Sequence, residues 1–416
     1  MTNILLGKLS IFNYFVFLIP LLIVTGPFLP DFLLIILIFY YLINFKNINQ
    51  IKFKNNFFYL FFIIYYLYIC LLSLFSDSLI FSLKSSFFFI RYFFLILIIQ
   101  YCIFNDEKFY KKINIVFSIP FLFIIFDAYF QYFFEFNTVG IKWVGRLSGF
   151  FSDEWILGSY IFNFFPIALT GIFLFFENNF KKSFIYGFIF LNISIYLVFL
   201  TGERVAFFSM IIVYFFYLFL FYFYFKKLKF YKYFITLFVI LITCLIYFNT
   251  AQKDWHIKRT LNQFISKDKK QIYIFNKGYD EMYQTAFKMF KERPLFGYGN
   301  KMFRVKCKDL NFNVGKYSCS THPHNFYLQV LAENGLIGFF FLVSLYIYII
   351  KDFFYFFKSS YKSQNIKQYC IFFILLSLIL NLFPFFPTGN LFNNSMALFL
   401  FYKIGFYLGL KSLFSR

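Results

Sequence analysis

Arginine and histidine are scarce in this sequence. Its 416 residues include seven arginines, against 33 lysines, and three histidines. Phe, Tyr, Ile, Asn and Lys, the residues with A+T-rich codons, are over-used, so lysine counts carry little weight and each arginine position carries more. No small-residue cleavage site follows the N-terminal apolar run after Lys8, which reads as a retained span rather than a removed signal. No repeat of about 20–50 residues is visible, which excludes a solenoid or a propeller. The net charge of +22 is dispersed between apolar runs rather than gathered on one domain, which argues against nucleic acid as a partner. No metal-ligand spacing links the histidines to acids: His256 is remote in sequence, and Asp153-Glu154 stands apart. No metal and no cofactor are expected.

What is abundant is apolar. Hydrophobic residues make up 61% of the chain, in recurrent runs of 17–22 residues. Such runs cross a hydrocarbon core of roughly 30 Å. Their backbone must be satisfied internally, so they are helices. The expected fold is an all-α polytopic membrane protein of twelve spans. These run over 10–25, 28–45, 57–75, 86–104, 113–134, 155–176, 184–200, 204–225, 231–250, 324–350, 367–386 and 390–410. Spans 1–9 (1–250) and spans 10–12 (324–416) form one bundle, with a large loop at 251–323 and no soluble domain. With the N-terminus inside, the inner loops and tails hold 19 Lys/Arg and the short outer loops hold four. Both ends are therefore placed in the cytoplasm. The 251–323 loop faces out despite fifteen basic residues, because long loops translocate largely regardless of charge.

In this topology only Arg416 is inside. Arg91, Arg146, Arg204, Arg259, Arg293 and Arg304 lie on the side where the orientation rule disfavours positive charge. Guanidinium groups are the preferred forks for phosphate and carboxylate, so these arginines are candidate anion contacts. Two histidines share that side, in "HPHNFYLQVLAENGLIGF" (322–339). Proline suits the first position of a helix, so His322 is expected as N-cap and His324 in the first turn. The positive helix end favours neutral imidazole at His324, a proton acceptor, and attracts an anion beside it. Glu333 follows nine residues on, about 13 Å deeper along a continuous helix. There it faces away from His324 and reads as structural, with Gly335 and Gly338 allowing close helix approach.

Three further stretches complete the pattern: "GRLSGFF" (145–151), "TGERVAF" (201–207) and "RPLFGYG" (293–299). Together with the His motif they resemble the O-antigen ligase and polymerase superfamily of bacterial envelopes. The motifs cover about 60 residues. The layout, with its largest outer loop between spans 9 and 10, covers most of the chain. The resemblance implies a metal-independent, inverting glycosyltransferase of the GT-C type in the bacterial inner membrane, with its site facing the periplasm. Its donor would be an undecaprenyl-diphosphate-linked glycan and its acceptor lipid A-core or another glycan, with membrane lipids around it. The family's essential histidine falls on His324. Its outer-face arginines match Arg204 and, less securely, Arg91, Arg146 and Arg304 as diphosphate contacts. His322, Asn325 and Glu333 would be supporting residues. The family often has Asn where Asp153 or Glu154 stands, so these acids carry no role over.

The chemistry of the residues agrees with that reading. A neutral imidazole takes the proton of an acceptor hydroxyl, and cations stabilise the departing diphosphate. Ligase and polymerase share this chemistry and differ in acceptor; the compact chain and moderate loop favour a ligase. A transporter or flippase of an anionic solute is the rival class. It would place ionisable groups near the bilayer midplane in related halves, and here they gather at one rim. Of the six cysteines, Cys70, Cys102, Cys244 and Cys370 fall in spans. Cys307 and Cys319 lie in the outer loop and are expected to form a disulfide that holds Arg304 and His322 in fixed relation.

Overall fold

The computed structural model describes residues 14–44, 56–105, 112–225, 275–362 and 365–414, with isolated positions between 236 and 273. Half of the expected ninth span (231–250), residues 1–13, Arg259 and Arg416 lie outside the described residues. The elements are helices: α1 (Leu18–Leu22), α2 (Phe28–Ile43), α3 (Asn56–Leu74), α4 (Leu79–Phe87), α5 (Ile90–Asn105), α6 (Ile119–Phe134), α7 (Leu157–Phe175), α8 (Phe180–Leu200), α9 (Arg204–Phe225), α10 (Lys277–Glu292), α11 (Phe303–Lys306), α12 (Phe326–Lys362), α13 (Ile366–Asn381) and α14 (Asn394–Phe414). Among the described residues, eight stretches are long and apolar enough to cross a membrane, and α2 and α13 are shorter apolar helices. The chain is a multi-pass membrane protein. Phe28, Phe57, Ile80, Phe133 and Phe354 face outward. Hydrocarbon is the matching solvent for such a surface.

Several polar groups inside the bundle tie its helices together. Lys403, fully buried on α14, donates to Asn163 Oδ1 at 2.8 Å and Ser377 Oγ at 3.0 Å, which ties α14 to α7 and α13. α14 also packs extensively on α5. The small Gly405 and Gly409 allow that approach, since a Cβ at either would meet Ile99 or Ile103 at about 3 Å.

Two expectations about spans are corrected. Span 10 was expected as one helix over 324–350. α12 starts at Phe326 and is interrupted at Gly335, whose φ of 65° and ψ of −164° only glycine adopts readily. Spans 11 and 12 were expected to reach 386 and to begin at 390. Instead residues 382–393 are irregular, because Pro384, Pro387 and Gly389 cannot continue either helix.

The break in α12 has a specific partner. In a continuous helix the N–H groups of 336 and 337 would bond the carbonyls of 332 and 333. Here those four groups bond the segment Pro294–Gly299. Tyr298 N–H donates to Ala332 O at 3.2 Å, and Gly299 N–H to Glu333 O at 2.7 Å. In return Leu336 N–H donates to Pro294 O at 2.8 Å, and Ile337 N–H to Leu295 O at 3.4 Å. The backbones lie so close that a Cβ on Gly335 would sit 2.3 Å from Leu295 O, and one on Gly297 would sit 2.6 Å from Glu333 C. The glycines of "RPLFGYG" and "ENGLIG" are thus two halves of one joint.

The 251–323 region, expected as a loop, contains a folded unit. α10 is capped by Asn276, whose side chain accepts from Tyr279 N–H, and it carries Asp280 in its first turn and Lys291 in its last. Its buried Met282, Ala286 and Met289 form a small core with Tyr298, Met302, Phe303 and Phe312, closed by Ala332 of α12.

Gly335→Ala should lose about 1–3 kcal/mol from backbone strain alone, and more from the clash with Leu295. Gly26→Ala, also at positive φ but with nothing near its Cβ, should lose less. Thermal melting of the two purified variants compares them; equal melting would show that the joint does not depend on this glycine.

Candidate functional site: a histidine pair between two groups of cations

The histidine motif is built differently from the expected cap. Asn325, not His322, is the N-cap of α12: its Oδ1 accepts from the N–H groups of Tyr327 at 3.0 Å and Leu328 at 3.1 Å. Its Nδ2 donates to Pro384 O at 2.7 Å. Those two N–H groups are therefore occupied, and the expectation that this helix end receives an anion gives way to a reliance on side-chain cations. His324 precedes the helix, at φ 56°, a left-handed conformation that a non-glycine residue adopts rarely. Thr388 N–H holds its carbonyl at 2.9 Å. The irregular 382–393 segment is thus the brace of the histidine motif.

The two imidazoles touch, with ring centroids 4.1 Å apart. Thr321 Oγ1 lies 2.9 Å from His322 Nδ1. Burial lowers the pKa of His322 to about 3, reinforced by the neighbouring His324 and by the charge of Arg304. Burial also holds His324 below its ordinary value, against the opposing pull of the Thr388 backbone. Burial thus favours the neutral form of both imidazoles.

On one side of the pair stands a residue that sequence reasoning passed over. Tyr279, in the first turn of α10, lies 5.0 Å from His324 between ring centroids. Burial raises its phenol pKa, and the charges of Arg204 and Arg146 lower it. Both arginines therefore lie within electrostatic reach of Tyr279. They act on His256 as well, whose ring stacks on Phe199 and Phe207 and whose pKa is lowered first by burial. Arg146 lies over the Trp155 ring at 5.1 Å. The Glu203 next to Arg204 has a separate task. It reaches across to the start of α7 and accepts from Gly158 N–H, Ser159 N–H and Ser159 Oγ. It caps a helix whose own N-cap residue, Ile156, offers no side-chain acceptor. Burial raises its pKa to about 7, opposed by these hydrogen bonds and by Arg146.

On the other side stands Arg304, whose guanidinium lies 5.7 Å from the Phe81 ring centroid. Glu333 holds the turn before it: Oε1 accepts from Phe303 N–H at 3.1 Å, and Oε2 accepts from Gln329 Nε2 at 3.0 Å. Gln329 in turn donates to Asn390 Oδ1 at 2.9 Å. The expected picture of an acid deep in a continuous helix is corrected. Glu333 sits at the break in α12, where the 275–323 unit docks. Cys307 and Cys319 are joined by a disulfide with Cα atoms 5.0 Å apart, which closes the chain between α11 and the histidine motif.

Arg91 is committed elsewhere. It pairs with Asp31 at 3.5 Å and donates to Asn394 Oδ1 at 2.7 Å, to Tyr92 Oη at 2.8 Å and to Phe88 O at 2.8 Å. Its fork joins α5 to α2 and α14. Arg293 pairs with Asp77 at 3.4 Å, as does Lys306 at 2.6 Å, which fastens the 275–323 unit to the α3–α4 turn. Asp153 and Glu154 are exposed, and among the described residues no three His, Cys, Asp or Glu side chains converge on a common point.

The arrangement is that of a polytopic membrane protein with a buried histidine pair within electrostatic reach of Arg304, beside a tyrosine within reach of Arg204 and Arg146. Residues 189–343 match the family model described as O-antigen ligase, which supports placing the chain in the O-antigen ligase-like superfamily. No curated protein matches the chain. The matched segment contains Arg204, Tyr279, Arg304, the histidine pair and Glu333; Arg91 and Arg146 lie outside it.

Removing the disulfide by Cys307→Ser should lower stability by roughly 2–3 kcal/mol. The same drop should follow from reductant on the wild type, read as a shift in melting temperature. A melting curve indifferent to reductant would mean the crosslink contributes nothing to the unit.

Proposed function

We propose that this protein is an O-antigen ligase: it transfers a glycan from undecaprenyl diphosphate to a hydroxyl of lipid A-core, at the periplasmic face of the bacterial inner membrane. The observation that carries the proposal is the buried His324 beside His322 and Tyr279, with Arg304 in electrostatic reach of His322 and Arg204 and Arg146 in reach of Tyr279. The O-antigen ligase match supports the reaction class, glycosyl transfer of the ligase or polymerase type.

In this reading His324 accepts the proton of the acceptor hydroxyl as its oxygen attacks the anomeric carbon. The bond from that carbon to the diphosphate oxygen breaks on the opposite face, which inverts the configuration. The leaving diphosphate gains charge, and the guanidinium groups of Arg204, Arg146 and Arg304 stabilise it. No metal is required by these steps. His322, Asn325 and Glu333 position the base and the Arg304 turn, and Arg91 holds the bundle beneath them. A shallow apolar groove offers a contact surface for part of the isoprenoid chain. Phe58, Phe62, Phe341, Leu345 and Leu400 line it, and Tyr65 at its edge reaches Asn334 beside the break in α12.

His324→Ala should reduce transfer about 10²–10⁴-fold in an assay with purified protein, lipid-linked glycan and lipid A-core. Near-normal turnover would remove His324 from the chemistry. In a deletion strain, bare core with polymer left on the carrier supports the ligase reading, whereas single repeat units on core would make the protein a polymerase.

The pH dependence has a definite sign. Burial lowers the pKa of His324. Its basic form therefore persists below pH 6.5, and the acid limb of kcat/KM should fall at lower pH than for an ordinary histidine. Stability follows the same sense. Below pH 6.5 the unfolded chain takes up protons that the folded pair still refuses, so folding weakens as pH falls. An acid limb at or above pH 6.5 would contradict the assignment.

Arg204→Lys keeps the charge and loses the planar fork. Transfer should fall about tenfold, with the loss in donor KM. Unchanged donor KM and rate would show that Arg204 acts only as a point charge.

A further inference from the structure

The turn Gly299–Phe303 is fixed at almost every residue. Gly299 N–H bonds Glu333 O at 2.7 Å, and Asn300 is buried between Ser86 at 2.7 Å and Asn334 at 2.6 Å. Met302 is buried in the small core, and Phe303 N–H bonds Glu333 Oε1 at 3.1 Å. The remaining residue, Lys301, has φ 60°, the left-handed conformation in which glycine is preferred. Its backbone N–H also turns toward the Glu333 carboxylate. Its ammonium, half-buried, makes no hydrogen bond or ion pair among the described residues. The charges that reach it are the cations Arg304 and Arg91 and the acids Glu333 and Asp31. Both acids are engaged elsewhere, Glu333 by Phe303 and Gln329, and Asp31 by Arg91 and Asn394. Arg304 likewise has no hydrogen-bonded acceptor, and its Nε is buried. Two cations partly withdrawn from water, whose nearby acids already serve other partners, favour an anionic ligand.

We propose that Lys301 is a second cationic contact, beside Arg304, for the diphosphate of the lipid-linked donor. This rests on the glycosyl-transfer reading above and adds to it a residue that scarcity arguments discount. The turn holds a lysine in a glycine conformation because its backbone must serve Glu333 while its side chain serves the ligand. A compact ammonium suits one terminus of a diphosphate already held by guanidinium forks, since it binds as a point charge. Burial lowers the pKa of the Lys301 ammonium and the neighbouring Arg304 adds to this, as expected of a cation whose counter-charge is the ligand.

The test measures binding of undecaprenyl diphosphate, undecaprenol and lipid A-core to the full-length protein in detergent. The variants are Lys301→Gln, Lys301→Gly and Lys301→Arg. Lys301→Gln and Lys301→Gly should each weaken undecaprenyl diphosphate binding about tenfold, while Lys301→Arg retains most of it. Undecaprenol and lipid A-core should bind all forms alike. Glycine relaxes the backbone, so full binding by Lys301→Gly beside a loss in Lys301→Gln would assign the effect to the turn and overturn the proposal. Loss of lipid A-core binding instead would give the cation to the acceptor's phosphates, which also overturns it. Wild type that binds undecaprenyl diphosphate no differently from Lys301→Gln defeats the Lys301 inference alone. Wild type that does not bind it at all defeats the functional reading as well.

Discussion

Four backbone hydrogen bonds across the break in α12 are the constraint on which the candidate site depends. A helix interrupted at Gly335 exposes two carbonyls and two N–H groups that cannot stay unpaired away from water. The segment Pro294–Gly299 satisfies all four, and can do so only because glycines stand at 297, 299 and 335. This joint places Glu333 against the turn of Lys301–Phe303, and so fixes Arg304 relative to the histidine pair. The disulfide and the Asp77 ion pairs fasten the same unit at its other edges.

The second constraint is the brace on His324. Its carbonyl, the Asn325 side chain and the Tyr327 hydroxyl all bond residues 382–388. The backbone of the motif is thereby held independently of the imidazole ring. The left-handed conformation of His324 is the price of aiming the imidazole out of the helix axis and into the space shared with Tyr279.

The bundle was legible in the sequence because lipid imposes a simple rule: runs of apolar residues of sufficient length form helices. The spans at 57–75, 155–176 and 204–225 lie within a few residues of α3, α7 and α9. Ends failed where proline and glycine outweighed apolarity, as at 382–393. The folded unit at 275–323 was hidden by its short apolar segments, although the Asn276 cap and the spacing of Met282, Ala286 and Met289 were there to read. The histidine pair and Arg304 carry their chemistry in their side chains and could be named in advance. Tyr279 could not, since an aromatic among 79 phenylalanines and 35 tyrosines gives no signal until the fold brings it to His324. Glu203 looked like a charged turn; only the geometry shows it capping α7. Arg91 showed the converse: scarcity marked it, and the structure gives it structural partners.

One polar thread runs from the break into the bundle. Asn334 bonds Asn300, Asn300 bonds Ser86, and Ser86 shares Ser73 with Ser82. All five side chains are buried apart from bulk water. Swinging the 275–323 unit away from the helices would break this thread and the four bonds of the joint together, with no solvent at hand to replace them. Hinged opening of this unit is thereby disfavoured. A ligand of this site would therefore enter and leave past a fixed wall and not through a moving gate.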